Sequence, residues 1–166
     1  MQIRTSKNTC THFGKKNKAY QFISQETKSI LDYGCGKYDD NEKYCKDLGI
    51  TWMGYDPYWR DETFNETNLK YVKKYGVDCI ICSNVLNVID DLQTINDILN
   101  KINDLANNNT TIIFSCYKGN GKGIGKETKK DCWQRNENCK IWIPRLEQFF
   151  NVIKRDDDVY ICSKKN

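Results

Sequence analysis

Four short apolar runs recur along this chain, and segments of a different character separate them. The runs span residues 29–33, 50–56, 77–83 and 111–117. A short apolar run bounded by turn residues is typical of a strand that is covered on both faces. Two of the intervening segments, 39–49 and 91–106, carry apolar residues at helical spacing. Strands that alternate with helices predict an α/β fold, with a mostly parallel sheet covered by helices on both faces.

Three further elements are predicted at the two ends of the chain. Residues 151–165 resemble two strands joined by an Asp-rich turn, which predicts a C-terminal antiparallel hairpin. Residues 15–25 predict a short helix. Residues 144–150 predict another helix that begins at its proline, because proline suits the first helical position.

The chain is long enough for one domain and too short for two ordinary ones. We therefore expect residues 1–166 to form a single domain, with residues 1–27 as an N-terminal cap segment. Residues 118–140 interrupt the alternation and hold four of the ten glycines and seven lysines or arginines. A connection of this length is functional, mobile or both. We expect it to be a basic, glycine-rich loop on the substrate side.

Cysteine usage and charge narrow the class of protein. Nine cysteines are scattered along the chain, several of them inside the apolar runs, whereas a secreted disulfide scaffold keeps its cysteines in loops. No apolar signal segment opens the chain, and no run is long enough to span a membrane. We expect a reduced, cytoplasmic protein without a membrane segment. The net charge of +4 permits an anionic partner without indicating one.

Three of the predicted strands end in residues suited to a ligand site. These ends are Asp32-Tyr33-Gly34-Cys35-Gly36, Asp56-Pro57-Tyr58 and Asn84-Val85-Leu86-Asn87. Ligands of open α/β sheets bind beyond the carboxyl ends of the strands. Glycine allows a tight turn and a close approach of the backbone to a ligand. An acid 20 residues after Gly36, at the end of the next strand, can accept both hydroxyls of a ribose.

The stretches ILDYGCG (30–36), GYDPY (54–58) and DCIICSNVLNVI (78–89) together resemble the class I S-adenosylmethionine-dependent methyltransferases. The resemblance implies a Rossmann-like domain with S-adenosylmethionine as its cofactor. It implies that the first loop approaches the methionine part, that Asp56 holds the ribose and that Asn84 borders the methyl group. The cofactor-binding residues are then Asp32, Tyr33, Gly34, Cys35, Gly36, Tyr38, Asp56, Pro57, Asn84 and Val85. The motifs are also similar to a poorly characterised bacterial and phage subset, some members of which accompany DNA-modification systems.

The sequence departs from this family in three places. Tyr38 stands where many members keep a third glycine. Only 20 residues separate Asp56 from Val77, so we expect the usual third strand and its helix to be shortened or missing. The candidates for adenine contacts are Asn65, Asn68 and Leu69. No Asn-Pro-Pro-Tyr motif, which methyltransferases of exocyclic base amines often carry, follows Ser83.

A dinucleotide such as NAD is the alternative ligand for a glycine loop after a strand. NAD requires the pattern G-x-G-x-x-G, and here Asp39 occupies the sixth position, where its charge would lie near the pyrophosphate. S-adenosylmethionine has no phosphate and a cationic end, so Asp39 and Asp40 are compatible with it. The loop therefore favours S-adenosylmethionine, with Tyr38 expected to cover the methionine end.

Several polar and aromatic residues are candidates for the acceptor side. The catalytic candidates are Asn84, Asn87, Tyr58 and His12, with Tyr117 beside them. His12 is the single histidine, and it is either a general base or a solvated residue. Two clusters mix aromatic rings with charge, which suits stacking on a planar substrate. They are Tyr58-Trp59-Arg60 and Trp133-Gln134-Arg135.

The cysteines do not predict a metal site. Cys79 and Cys82 lie three apart in a predicted strand, so their side chains point to opposite faces and predict a buried structural pair. Cys132 and Cys139 could bind zinc together with His12, but no second closely spaced ligand pair accompanies them.

The combined features predict an enzyme that transfers a methyl group to an acceptor, either a small molecule or a nucleic acid. One alternative is a protein that senses or cleaves S-adenosylmethionine. Another is a nucleic-acid-binding module that uses residues 118–140. Little of the chain is left for a separate recognition domain, which slightly favours a small or partner-supplied target. A monomer is slightly favoured over an oligomer.

Overall fold

The helices and strands largely follow the predicted alternation. The computed structural model describes residues 17–130 and 132–165. Its strands are β1 (Ser29–Tyr33), β2 (Thr51–Tyr55), β3 (Cys79–Ser83), β4 (Thr111–Ser115), β5 (Lys126–Lys129), β6 (Cys132–Gln134), β7 (Phe150–Asp156) and β8 (Val159–Lys164). Its α-helices are α1 (Asp40–Asp47), α2 (Glu62–Tyr75), α3 (Leu92–Leu105) and α4 (Cys139–Leu146), with 3-10 helices at Lys18–Phe22 and Leu86–Val88.

Six strands of the described chain form one mixed sheet, in the order β2-β1-β3-β4-β8-β7. Strands β2, β1, β3 and β4 run parallel, and β8 is antiparallel to both β4 and β7. The predicted parallel sheet with a C-terminal antiparallel hairpin is therefore confirmed. Because the four parallel strands point the same way, the segments that follow them meet at one edge of the sheet.

Each face of the sheet carries a core of apolar side chains. On one face, the fully buried Ile95, Leu99 and Ile102 of α3 pack into the larger core, which also contains Cys82. On the other face, the 3-10 helix at Lys18–Phe22 and α1 cover a smaller core that contains Cys79. The two cysteines thus point to opposite faces, as the strand period predicts.

Residues 59–76 are polar and indicate only a helical segment near 68–76, whereas helix α2 is a complete helix of 14 residues. Two further predictions about the elements are wrong. Helix α4 begins at Cys139 and contains Pro144 in its interior, so this proline does not start the helix. Residues 118–140 are not one loop, because β5 and β6 pair as an antiparallel hairpin within them. No helix in the described ranges combines the length and the apolar character that crossing a membrane requires.

The third strand expected of the family is missing from the described ranges, and β2 forms one edge of the sheet. Two asparagines of α2 supply hydrogen bonds along this edge. The amide of Asn65 accepts from the backbone N–H of Asp56 at 2.9 Å and donates to its carbonyl at 2.9 Å. The amide of Asn68 donates to the carbonyl of Gly54 at 2.8 Å. Helix α2 therefore satisfies backbone groups that an additional strand would otherwise pair.

Candidate active site

A cleft of about 950 Å³ opens at the carboxyl ends of the parallel strands. Its walls come from the loops after β1, β2, β3 and β4, from α3, and from the β5–β6 hairpin. All ten residues that the sequence predicts for cofactor binding line it, and so do Tyr58, Asn87 and Tyr117. The position agrees with the rule for open α/β sheets.

The glycine loop after β1 makes a tight turn, and its backbone N–H groups donate to residues at the end of β2. Gly34 and Gly36 have φ angles of 87° and 70°, in the left-handed region that favours glycine. The N–H groups of Gly34 and Cys35 both donate to the carbonyl of Tyr55, at 2.7 and 3.1 Å. The N–H of Gly36 donates to Oδ2 of Asp56 at 2.9 Å. Three successive backbone donors are thus bonded within the protein.

Gly34 has a second reason to be glycine. A Cβ at this position would lie 2.2 Å from Cγ2 of Val85, which is far inside van der Waals contact. The loop after β1 and the segment after β3 therefore approach each other more closely than any other residue type at position 34 would allow.

Asp32 places a buried carboxylate in the wall of the cleft. The hydroxyl of Tyr20 and the amide of Asn41 donate to its Oδ2 at 2.7 and 2.8 Å. Burial raises the pKa of the Asp32 carboxyl, and these two hydrogen bonds oppose the shift. Both of these hydrogen bonds go to Oδ2 of Asp32, and within the described residues the Oδ1 of Asn41 is buried without a partner. This part of the cleft presents acceptor oxygens rather than donors.

The carboxylate of Asp56 holds the two neighbouring loops in place. Its Oδ1 accepts from the N–H groups of Tyr58 and Trp59 at 2.9 and 3.1 Å, and its Oδ2 accepts from Gly36. A carboxylate has about four acceptor positions. The backbone occupies three of them, so one is left rather than the two that binding both ribose hydroxyls would require.

Arg60 stabilises the glycine loop through hydrogen bonds and does not line the cleft. Its guanidinium donates to the carbonyls of Gly36 and Tyr38 and pairs with Asp39 at 2.8 Å. The expectation that Arg60 helps to stack a substrate is therefore wrong, whereas its neighbours Tyr58 and Trp59 do line the cleft.

The segment after β3 contributes several residues to the lining of the cleft, among them Asn84. Asn84 adopts a φ of 56°, a left-handed conformation that asparagine tolerates better than most residues. Its N–H donates to the carbonyl of Ser115 at 2.7 Å, and its Oδ1 accepts from the N–H of Tyr117 at 3.3 Å. Asn84 therefore ties the ends of β3 and β4 together.

The β5–β6 hairpin is fixed over one side of the cleft by buried charge. Arg135 donates to the carbonyls of Ile89 and Asp90 at 3.0 and 3.2 Å and pairs with Glu137 at 2.8 Å. Arg145 of α4 pairs with the same carboxylate. Burial opposes ionisation of Glu137, but the two arginines outweigh it and hold its pKa below the usual range. Arg135 thus anchors the hairpin and does not face a substrate, contrary to the prediction.

A family model described as a methyltransferase domain matches residues 10–155. This range covers most of the 166 residues. The chain belongs to the methyltransferase-domain family. A comparison of its sequence with curated proteins gives no significant match.

Solved structures of methyltransferases resemble this methyltransferase domain in fold. The 1,6-didemethyltoxoflavin-N1-methyltransferase of Burkholderia thailandensis superposes with a TM-score of 0.63 at 14% identity, over 83% of this chain and 71% of that one. A SAM-dependent methyltransferase of Archaeoglobus fulgidus gives 0.56 at 16% identity, over 92% of each chain. Human N-acetylserotonin methyltransferase gives 0.59 at 14% identity, over 92% of this chain and 52% of that one.

Several predicted residues of the methyltransferase domain lie elsewhere. Asn65, Asn68 and Leu69 do not line the cleft, because the two amides bond the edge of β2 and Leu69 packs against the core. They are therefore not adenine contacts in this arrangement. His12 lies outside the described residues. No cluster of three or more potential metal ligands occurs within residues 17–130 and 132–165.

Sequence reasoning missed several polar residues of the cleft, among them Asn41, Ser83, Ser115 and Asp158. Ser83 and Ser115 are paired in adjacent parallel strands, so their side chains lie on one face of the sheet. Their position at strand ends was the available signal. Asp158 gave none, since an Asp-rich stretch between two strands is typical of a turn.

Proposed function

We propose that this protein is a methyltransferase that uses S-adenosylmethionine. One observation supports the proposal most strongly. The N–H groups of Gly34, Cys35 and Gly36 are already bonded within the protein, while the buried carboxylate of Asp32 lines the cleft beside them. Such a loop suits a cofactor that is cationic and carries no phosphate.

The same observation disfavours NAD. A pyrophosphate is bound by backbone N–H groups of the glycine loop and the following helix N-terminus. Here the first three of those donors have acceptors at 2.7 to 3.1 Å. A pyrophosphate in this position would also lie close to Asp32, where like charges repel.

The residues of the cleft fit the separate parts of S-adenosylmethionine. Asp32, with the Oδ1 of Asn41 nearby, would accept hydrogen bonds from the ammonium of the methionine part. Asp56 has one acceptor position left for a ribose hydroxyl. Asn84 and Val85 would border the methyl group. The B. thailandensis structure contains S-adenosylhomocysteine and the human structure contains SAM, which supports this choice of cofactor.

The bound sulfonium would supply a reactive methyl group. The contribution of the protein is then to hold the acceptor in line with that group and to exclude water. The volume of about 950 Å³ lies at the upper end for ligand sites, so the cleft has room for an acceptor beside the cofactor. The acceptor itself is either a small molecule or a nucleic acid.

Calorimetric titration with S-adenosylmethionine and with NAD tests the cofactor, using wild-type protein and Asp32→Asn. The amide keeps one oxygen for Tyr20 and Asn41 and replaces the other oxygen by an NH₂ group, which removes the negative charge. We expect wild type to bind S-adenosylmethionine and ignore NAD, and Asp32→Asn to bind about tenfold or more weakly.

Asp47→Asn is the matched control, since this carboxylate is exposed at the end of α1. It should bind like wild type. A wild-type protein that ignores S-adenosylmethionine would refute the proposed function, and full-strength binding by Asp32→Asn would refute the role of Asp32.

Product analysis then separates transfer from cleavage of the cofactor. With methyl-labelled S-adenosylmethionine alone, a transferase shows little turnover until an acceptor is added. Steady consumption without an acceptor would instead identify a cofactor-cleaving enzyme. DNA, RNA and mixed small amines, added one at a time, report the acceptor class.

A further inference from the structure

The cleft has a third buried carboxylate, besides Asp32 and Asp56, where β4 and β8 meet. Asp158 immediately precedes β8, is 6% exposed and lines the cleft. Its backbone carbonyl accepts from the N–H of Cys116 at 2.9 Å, which fixes it against the end of β4.

Asp158 forms no close ion pair with a lysine or arginine of the described residues, and Lys118 attracts it only over a longer distance. The two nearby lysines, Lys18 and Lys118, both pair with the adjacent Asp157, at 3.4 and 2.7 Å. Asp158 receives only the backbone N–H of Lys118 on Oδ2, at 3.3 Å. A buried carboxylate without a close counter-charge is costly. A cationic ligand in the cleft would compensate for that cost.

A second acceptor atom, the Oδ1 of Asn87, is left without a partner in the same region. Gln134 donates its Nε2 to the carbonyl of Tyr117 at 2.9 Å, which fixes the orientation of the Gln134 amide. Its Oε1 must then face Asn87, whose Nδ2 donates to it at 3.3 Å. Asn87 is 2% exposed and lines the cleft, and within the described residues its Oδ1 has no donor.

The two acceptors are connected through one short backbone segment. Tyr117, whose carbonyl orients Gln134, lies between Cys116 and Lys118, and both of those residues donate N–H groups to Asp158. Ser83 and Ser115 also line the cleft, and the Ser83 hydroxyl donates to Oδ1 of Asn17 at 3.0 Å. This part of the cleft therefore offers a negative charge and an amide oxygen to a ligand that brings donors.

We infer that the methyl acceptor is a small primary or secondary amine, which Asp158 and Asn87 bind through its N–H groups. The inference rests on the proposed function. An amine is cationic at neutral pH and carries two or more N–H donors, so it complements both atoms. A carboxylate or phosphate acceptor would be repelled by Asp158.

Asp158 then also has a place in the chemistry. The ammonium form has no lone pair and must first lose a proton. The N–H bond breaks and the proton passes to the Asp158 carboxylate. The lone pair left on nitrogen forms the new N–C bond, while the electron pair of the breaking C–S bond returns to sulfur.

Binding of small probes to protein saturated with S-adenosylhomocysteine tests this inference by ligand-observed NMR. The probes are methylamine, benzylamine and piperidine, each compared with its acidic counterpart acetate, benzoate or cyclohexanecarboxylate. We expect wild type to bind at least one amine and none of the acids. Asp158→Asn, which keeps an oxygen for the Lys118 N–H, should weaken amine binding about tenfold or more.

Asp156→Asn provides the control near the same turn. Asp156 is exposed at the end of β7 and does not line the cleft, so this change removes one charge and leaves the ion pairs of Asp157 with Lys18 and Lys118 intact. Its amine binding should match wild type. Both variants should retain the affinity for S-adenosylhomocysteine, which shows that they are folded.

Three results would overturn the inference. They are binding of the acids as well as the amines, no amine binding by wild type, and equal amine binding by Asp158→Asn and wild type. In each case intact binding of S-adenosylhomocysteine would leave the proposed function standing. If wild type fails to bind S-adenosylhomocysteine, both the proposed function and this inference fail.

Discussion

The Asp56 carboxylate acts first as a structural group. It gathers three backbone N–H groups from two loops, and it is 7% exposed. Hydrogen bonds from backbone donors to a charged acceptor are stronger than those between neutral groups. The loops that form the cofactor cleft therefore depend on one side chain, whether or not a ribose is bound.

Replacing Asp56 by alanine should lower the free energy of unfolding by about 2 to 4 kcal/mol, because three donors lose their acceptor. Asp61→Ala is the comparison, since Asp61 accepts a single N–H, from Phe64, at 2.8 Å as the exposed N-cap of α2. That change should cost about 1 kcal/mol. Urea denaturation measures both values. If Asp56→Ala lowers the free energy of unfolding no more than Asp61→Ala does, the structural role of Asp56 is contradicted.

At the scale of elements, the β5–β6 hairpin and helix α4 are joined through Glu137. Its buried carboxylate lies between Arg135, next to the hairpin, and Arg145, in α4. Breaking such a pair by removing one partner is strongly destabilising, because the remaining charges are left buried. The position of the hairpin over the cleft is therefore sensitive to the charge of one residue.

The contribution of Glu137 to stability should disappear in acid. Its folded pKa is lowered, so its stabilising effect is complete above the unfolded pKa of about 4.3 and is lost as pH falls through the folded pKa. Glu137→Gln should lower the free energy of unfolding by about 2 to 4 kcal/mol at pH 7. The difference from wild type should shrink steadily as the pH is lowered below about 4.3.

Urea denaturation of wild type and Glu137→Gln across this pH range provides the measurement. Glu147→Gln serves as a control at an exposed position next to α4, where we expect a change within about 0.5 kcal/mol. A difference between wild type and Glu137→Gln that stays constant with pH would show that the carboxylate acts through shape and not through charge.

Elements with a regular apolar period were predictable, and those held by polar contacts were not. Helix α3 was evident because Ile95, Leu99 and Ile102 recur on one face. Helix α2 was largely missed because one of its buried side chains is the polar Asn65, whose partners are backbone atoms of β2. Pro144 was misplaced because proline usually opens a helix, whereas here the cap is Asn138.

The residues of the candidate site also include some that the sequence could predict and others that it could not. Asp32, Gly34 and Asp56 could be found because each lies at the end of an apolar run. Asp158 could not, because its burial follows from the pairing of β8 with β4, which no local pattern shows. The roles of Arg60 and Arg135 were also hidden, since the sequence does not reveal that their partners are backbone carbonyls.

At the scale of the whole molecule, the cleft collects residues from almost the entire described chain. Its lining runs from Asn17 to Asp158 and includes contributions from both faces of the sheet. A ligand that binds there contacts residues from many segments, which come together only in the folded protein. Binding and global stability should therefore be coupled, and we propose that the chain unfolds as a single domain.

Saturating S-adenosylhomocysteine should raise the thermal midpoint by about 5 to 10 °C. At a ligand concentration of about 100 times Kd, the added stability is about 2.7 kcal/mol, and each kcal/mol shifts a protein of this size by about 2 to 4 °C. NAD should leave the midpoint unchanged. Near- and far-ultraviolet circular dichroism should report the same single transition.

Asp32→Asn provides the control. At the same concentration of S-adenosylhomocysteine, the thermal midpoint of this variant should rise much less than that of wild type. Two separate transitions would contradict the single domain. An equal shift with NAD would contradict the proposed cofactor specificity.

The two asparagines of α2 have a consequence for how separate copies of the chain behave. Exposed strand edges with open N–H and C=O groups recruit strands from other molecules. At β2 the carbonyl of Gly54 and both backbone groups of Asp56 are already bonded to Asn68 and Asn65. At the carboxyl end of β2 these groups are therefore no longer open to a strand from another copy, even though, within the described ranges, the sheet lacks a strand on that side.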